Sequence, residues 1–291
     1  MSVALEHRAP LRRWSDGHGA VWVSRLLDES ERGRYDAFVR QSPRGNPLQL
    51  WSWGEVKRAD GWTPLRVLAE CNGVPRAAVS LVEKPLGDPS GPTFWLAHRG
   101  PVLDPGDSGP STTLWAGLCA LAAQRRVVAL RCDPEWPPSE GVLLRRAGLA
   151  PLPPHHRWYL GALEPLRVWR ISLEGGVPGV LSRCEAHTRY DIRRSQRRGA
   201  VVRLGVRADL PDFYALERDI ARKKGFSLRA DEFFDRLWEA WNEPGDGRLF
   251  VATHEGTFIG GAWWVRCGQG CWGQFSAADY AARGMLPAVA L

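Results

Sequence analysis

Residues 65–82, LRVLAECNGVPRAAVSLV, form two strand-length apolar blocks around Asn72-Gly73. An Asn-Gly link between such blocks predicts a β-hairpin, because both central positions of the favoured turn need positive φ. Residues 249–265, LFVATHEGTFIGGAWWV, repeat the grammar with Glu255-Gly256 at the turn. Ahead of each hairpin the apolar spacing becomes helical. LWSWGEVKRADGW (50–62) precedes the first, and EFFDRLWEAWN (232–242) precedes the second, where Phe233, Phe234, Leu237, Trp238 and Trp241 make one stripe. Each hairpin is followed by a further strand-like segment, TFWLAHRGPVLD (93–104) and CWGQFSAAD (271–279). The chain therefore reads as two copies of one α/β unit, an α+β arrangement with mixed, mostly antiparallel sheets flanked by helices. The first domain is expected over residues 1–160 and the second over 161–291.

In the first copy a helix (112–124), a strand (127–134) and a second helix (141–149) follow the third strand. In the second copy only RGMLPAVAL, the start of the matching helix, comes before Leu291, so the second domain is expected to be incomplete. Between the copies, Ser182 and Glu185 have capping-box spacing and Gly199 offers a left-handed stop, which predicts a helix over 183–198. Arg189, Arg193 and Arg197 then share one face, with Arg194 and Arg198 alongside. A following helix is expected from Asp209 as N-cap, with Phe213, Leu216 and Ile220 facing the core and RKKG closing it.

Charge sharpens this picture. The net charge is +7, and residues 183–207 alone carry eight arginines against Glu185 and Asp191. Such a concentration fits a phosphate-bearing partner, and it also fits a solvated helix face. With 44% hydrophobic and 24% charged residues the chain is of the globular class. No segment approaches the roughly 20 apolar residues of a membrane span, and cytoplasmic localisation is expected. The six cysteines (71, 119, 132, 184, 267, 271) lack disulfide-framework spacing and read as reduced, mostly buried thiols. Cys267 and Cys271 stand in a CxxxC spacing without a second ligand pair, so no metal is expected.

Reaction motifs are largely missing. The sequence contains no GxSxG elbow, P-loop, HExxH or strand-to-helix GxGxxG. His98 and the pair His155-His156 are isolated, and QRRGAV (196–201) departs from the pyrophosphate loop of CoA-dependent acetyltransferases. No cofactor is called for. What remains is positioning chemistry, with cations and aromatic surfaces able to hold a large anionic substrate.

Five ordered segments resemble the FemX/FemAB family of tRNA-dependent aminoacyltransferases that build peptidoglycan bridges. Phe38, Arg40, Gln41, Ser42, Pro43, Gly45, Gln49, Trp53, Val56 and Lys57 match its F-x-R-Q-S-P-x-G…Q-x-x-x-W-x-x-V-K segment. RGPVLD (99–104), LRCDPE (130–135), RRGAVV (197–202) and GFSLRADEFFDRL (225–237) match four more. The resemblance implies two tandem GNAT-like domains, which agrees with the internal repeat. It also implies transfer of an amino acid from aminoacyl-tRNA to the peptide of a UDP-linked or lipid-linked muropeptide. On that resemblance Lys57 and Arg229 bind the acceptor's diphosphate and Ser227 adds a hydroxyl contact. The arginine helix, through Arg189, Arg193 and Arg197, is the candidate tRNA contact, and a lipid-linked acceptor would bring the protein close to a membrane surface. Trp51, Trp53 and Trp62 are expected to fix the Lys57 helix against the first sheet. The sequence departs from the family where tyrosines near the nucleotide become Phe233 and Phe275, and a final F-K motif has no counterpart. No catalytic base is identified; Asp104 is the best carboxylate candidate and equally suits a turn cap. Alternative readings are a GNAT-like N-acyltransferase with another donor and a non-catalytic RNA-binding derivative.

Overall fold

The computed structural model describes residues 10–103, 108–152, 164–165 and 168–291. The chain divides into two compact units, Met1–Leu166 with Cys267–Gly270, and Arg167–Arg266 with Cys271–Leu291. Among the described residues, no helix is long and apolar enough to cross a membrane.

The first unit is built on a seven-stranded sheet in the order β1 (Pro10–Ser15), β2 (Val21–Leu26), β3 (Thr63–Cys71), β4 (Val74–Pro85), β5 (Thr93–Ala97), β7 (Val127–Cys132), with β6 (Val102–Leu103) pairing β4. Its printed pairings are antiparallel except β5 with β7, which run parallel. The β3–β4 turn forms as the Asn-Gly pair requires, with φ of 48° at Asn72 and 79° at Gly73. Helices α1 (Arg32–Gln41) and α2 (Trp51–Arg58) connect β2 to β3, and α3 (Ser108–Gln124) connects β6 to β7. Leu114, Leu118 and Leu121 of α3 lie in one core with Val67, Val79, Leu81 and Trp95 of the sheet. The helix approaches β2 closely at Gly117, where an added Cβ would lie 2.3 Å from Ser24 Oγ. After β7 comes α4 (Gly141–Arg146). The N-terminal pair β1–β2 carries no strong turn or alternation signal and was not anticipated from the sequence.

The second unit repeats the plan. Its four-stranded sheet has the order β11 (Gly270–Ala278), β10 (Thr257–Cys267), β9 (Gly247–His254), β8 (Ala200–Leu204). The β9–β10 turn again places positive φ at Glu255 (50°) and Gly256 (79°). Helix α7 (Leu210–Lys224) ends at Gly225 in the left-handed conformation (φ 72°), and α8 (Asp231–Leu237) continues into a π turn, Trp238–Asn242. Phe213, Phe233, Phe234, Trp241 and Trp263 are fully buried. Phe213 meets Phe234 and Trp263 edge-on, with centroids at 5.2 and 5.9 Å. Gly261 lets that ring in, since a Cβ there would lie 2.6 Å from it. The architecture is the expected mixed α/β fold, with a helix pair leading into a hairpin in each unit.

Three local expectations are corrected. The basic stretch is two helices, α5 (Gly176–Arg183) and α6 (Ala186–Arg197), with Cys184 extended between them. Ser182 is inside α5 and donates to Gly179 O, so the 182–185 capping box does not form; the helix propensity of 176–183 claims the serine first. Gly199 does take the left-handed stop, at φ 86°. On α7 the most buried positions are Leu210, Phe213, Glu217 and Ala221, while Leu216 and Ile220 are half-buried. The cysteines are free, but only Cys267 is buried, and Cys119 and Cys271 are exposed.

Candidate functional site

The segment leading into Lys57 is fastened from several directions. Asn46 accepts from Leu48 N (3.0 Å), starting a 3-10 turn, and Asp36 of α1 accepts the backbone N–H of Trp51 at the start of α2 (2.8 Å). Trp51 Nε1 donates to Glu29 (2.7 Å). Arg66 on β3 is 3% exposed; its Nη2 donates to Trp51 O (2.6 Å) and Glu55 (2.8 Å), and its guanidinium lies 4.2 Å from the Trp51 ring centroid. Gly54 makes room, because a Cβ there would sit 2.3 Å from that guanidinium. Burial pushes the Asp36 carboxyl above the usual carboxylate range, against the Trp51 N–H and neighbouring arginines. Trp51 and Trp53 are thus core residues, and Trp62 is half-buried on Phe94. The last turn of α2 then delivers Lys57, whose ammonium pairs with Asp60 and stands 5.8 Å from the Trp53 ring centroid.

Gln49 makes a second fixed point. The β4–β5 ladder runs from Pro85↔Thr93 to Val82↔Leu96; two residues further, where Ser80 would face His98, the strands are bridged by a side chain. Gln49 Oε1 accepts from Ser80 N (2.9 Å), and its Nε2 donates to Ser80 O (3.2 Å) and His98 O (2.7 Å). One buried amide therefore replaces a strand-to-strand contact and fixes the backbone at His98. The His98 ring packs edge-on against Trp53 (5.7 Å), and its Nδ1 lies 3.3 Å from Glu164 Oε1. Next to it Arg99 has a left-handed backbone, φ 54°, with its N–H donating to Asp133 (2.8 Å) and its side chain to Pro165 O (2.9 Å). Burial raises the Asp133 carboxyl, opposed by Arg99 and His98.

In the second unit Gly225 turns the chain out of α7, leaving Ser227 and Arg229 exposed. Tyr214 Oη donates to Arg229 O (3.0 Å). The Arg229 guanidinium lies 4.9 Å from the ring centroids of both Phe233 and Phe275. The two phenylalanines that depart from the family pattern thus form the aromatic seat of this arginine. Glu217, 8% exposed, has its carboxyl raised by burial, with Arg229 and Lys224 opposing.

The arginine-rich segment is less concentrated than its sequence. Arg203 forms a fork on Asp209 (2.6 and 2.7 Å), and Arg207 pairs with Asp235, Glu239 and Glu243. Arg183 donates to Ser172 O and Glu174 O, and Arg198 to Gly284 O. Arg189 turns back onto the carbonyls of Leu181 and Cys184, closing the α5–α6 junction. Arg193 and Arg197 are exposed on α6, Arg197 over the Tyr190 ring at 5.7 Å. Asp104 and the His155-His156 pair lie outside the described residues. The Gln49 bridge and the His98–Glu164 pair were missed as site features: Gln49 has no local signal for its role, and His98 and Glu164 are 66 positions apart.

Residues 184–291 match the family described as acetyltransferase (GNAT) domain. The chain is 26% identical over 227 residues to the lipid II:glycine glycyltransferase of Staphylococcus haemolyticus (strain JCSC1435), covering 76% of this chain and 54% of that protein. It is 26% identical over 223 residues to the protein of the same name from Staphylococcus aureus (strain MRSA252), covering 75% and 52%. The chain thus spans about half the length of these relatives. Its fold is similar to the crystal structure of FemX, with a TM-score of 0.72 at 18% identity over 91% of this chain and 83% of that one. A conserved protein of unknown function from Bacteroides thetaiotaomicron VPI-5482 superposes with a TM-score of 0.51 at 13% identity, over 90% and 82%. In sequence and fold together, the chain resembles the FemX/FemAB family.

Proposed function

We propose that this chain, similar in sequence to lipid II:glycine glycyltransferases and in fold to FemX, acts in transferring an amino acid from aminoacyl-tRNA to the peptide of a peptidoglycan precursor. The acceptor is a UDP-linked or lipid-linked muropeptide. The observation that carries this reading is the sequence likeness to those glycyltransferases across three quarters of the chain. In the reaction, a free amine of the acceptor peptide attacks the aminoacyl ester. A C–N bond forms, the ester C–O bond breaks, and the terminal ribose hydroxyl of the tRNA leaves with a proton. The ester is already activated, so the protein's work is to align amine and carbonyl and to stabilise the oxyanion.

Lys57 and Arg229 are assigned to the acceptor's diphosphate and Ser227 to an adjoining hydroxyl contact. Two features support the cations: Lys57 ends a helix held from several sides, and Arg229 is seated on two rings with its polar edge exposed. A compact ammonium and a planar guanidinium are complementary ligands for phosphate oxygens. Arg193 and Arg197 are the first candidates for tRNA phosphates, and Arg189 belongs to the same set through the junction it closes. The test is transfer of radiolabelled amino acids from a mixed charged-tRNA pool to a UDP-linked muropeptide. Label on the muropeptide, lost in Lys57→Ala and Arg229→Ala, is the expected result; a chain that neither binds the muropeptide nor labels it refutes the reading.

The GNAT match over 184–291 favours one other reading, N-acyl transfer from a thioester donor to an amine. Acylation of the same acceptor from acetyl-CoA, without tRNA, would establish it.

A further inference from the structure

Within the first unit, the ring of Trp53 has two polar neighbours: the Lys57 ammonium, 5.8 Å from its centroid, and the His98 ring, 5.7 Å away. His98 is held at three points. Its carbonyl accepts from Gln49, its ring packs on the indole, and its Nδ1 faces Glu164. An ionised Glu164 can only accept, so Nδ1 carries the proton and donates. The other ring nitrogen, Nε2, is enclosed and has no hydrogen-bond partner among the described residues. A proton there would add a buried, unsatisfied, charged donor, which costs more than an unpaired lone pair. The arrangement therefore presents a fixed acceptor lone pair beside a fixed cation. Asp133 is a second acceptor facing the same histidine; its Oδ2 is likewise enclosed and unpaired, while Oδ1 takes the Arg99 N–H. Protein interiors leave few such atoms without partners, and two in one neighbourhood mark a place where a polar group is expected to enter.

We infer that Lys57, Trp53 and His98 form a recognition site for a sugar phosphate, in which Lys57 takes a phosphate oxygen and His98 Nε2 accepts from a neighbouring hydroxyl or amide N–H. This deepens the acceptor assignment above and rests on it for the identity of the natural ligand, but the site itself is defined by the chemistry of a nucleotide-linked sugar. His98 is the specificity-determining residue: pyrophosphate offers the anion without the donor, and a nucleotide sugar offers both. Glu164 is a positioning residue that sets the tautomer. The charged groups facing His98 are Glu164, Asp133, Arg99 and, across the indole, Lys57. Because Nε2 must stay unprotonated to accept, affinity for the sugar ligand rises with pH.

The test is titration calorimetry on the whole chain with UDP-N-acetylmuramoyl pentapeptide, UDP-N-acetylglucosamine and inorganic pyrophosphate. His98→Asn places its amide near Nδ1 and removes Nε2, whereas His98→Gln returns an acceptor near the Nε2 position. The expected result is about a tenfold loss of sugar-nucleotide affinity in H98N, the loss of one good hydrogen bond. H98Q should recover part of it, pyrophosphate affinity should stay unchanged in both, and K57A should weaken all three ligands. Between about pH 5.5 and pH 8 the wild-type affinity for the sugar nucleotides should rise and that of H98Q should stay level. Equal weakening of pyrophosphate and sugar nucleotides by H98N, no effect on either, or affinity that falls with pH overturns the inference. Binding of UDP-N-acetylglucosamine through His98, with no binding of the muropeptide, keeps the inference and refutes the acceptor reading. No binding of any ligand by the wild type overturns both.

Discussion

Gln49 shows how one residue can carry structure into function. Its amide serves three backbone groups in a place where water cannot, and each group left unsatisfied costs about 1–3 kcal/mol. Gln49→Ala is therefore expected to destabilise the first unit by about 3 kcal/mol or more, read as a lower urea midpoint with the slope unchanged. Leu48→Ala next to it would test ordinary core burial without touching His98. Arg229 raises a different question, since its seat is built from Phe233 and Phe275. A lysine keeps the charge and loses both the stacked plane and the fork, so Arg229→Lys should lower muropeptide affinity nearly as far as Arg229→Ala. Near-normal affinity in R229K would show that charge alone suffices. Arg229 was legible as a candidate from its motif; its aromatic seat was not, because Phe275 comes from a strand 46 residues away in sequence.

At the scale of elements, the hairpins were read directly because their turn chemistry is local. Gly73 and Gly256 both have φ of 79°, where a Cβ costs about 1–2 kcal/mol. Gly73→Ala and Gly256→Ala should each lower stability by that amount, while Gly17→Ala, which meets open space at ordinary φ, should change thermal stability little. The junction before α7 gives a pH prediction. The Arg203 fork, helped by the Val206 N–H, holds the Asp209 carboxyl below its ordinary value of 3.8. A depressed folded-state value adds stability that is present above 3.8 and lost as pH falls through the folded value. Asp209→Asn should therefore be less stable than wild type at neutral pH, and the gap should close as the pH drops below 3.8; a gap that persists in acid would mean the loss is one of packing. The α5–α6 break was misread for an equally local reason: Ser182 fits both a cap and a helix interior, and only the extended Cys184 decides between them.

Across the whole molecule, charge that is concentrated in sequence is dispersed in space, which alters the expected tRNA footprint. Arg203 and Arg207 are already matched by carboxylates, and Arg189 closes a helix junction. Arg193→Ala and Arg197→Ala should each weaken tRNA binding and lower the slope of log affinity against log salt by about one. Arg189→Ala should act chiefly through the stability of α5 and α6; an unchanged salt slope in all three variants would remove this helix from the interface. The sequence by itself determined the repeated helix–hairpin plan, the turn residues, the left-handed stops at Gly199 and Gly225 and the cationic candidates. Each of these depends on interactions within a few residues or on a regular period. The tertiary structure alone decided which arginines are already satisfied, which tryptophans are core, and that Gln49, His98 and Glu164 meet. Those outcomes depend on which distant groups share a desolvated space, and no local pattern encodes that.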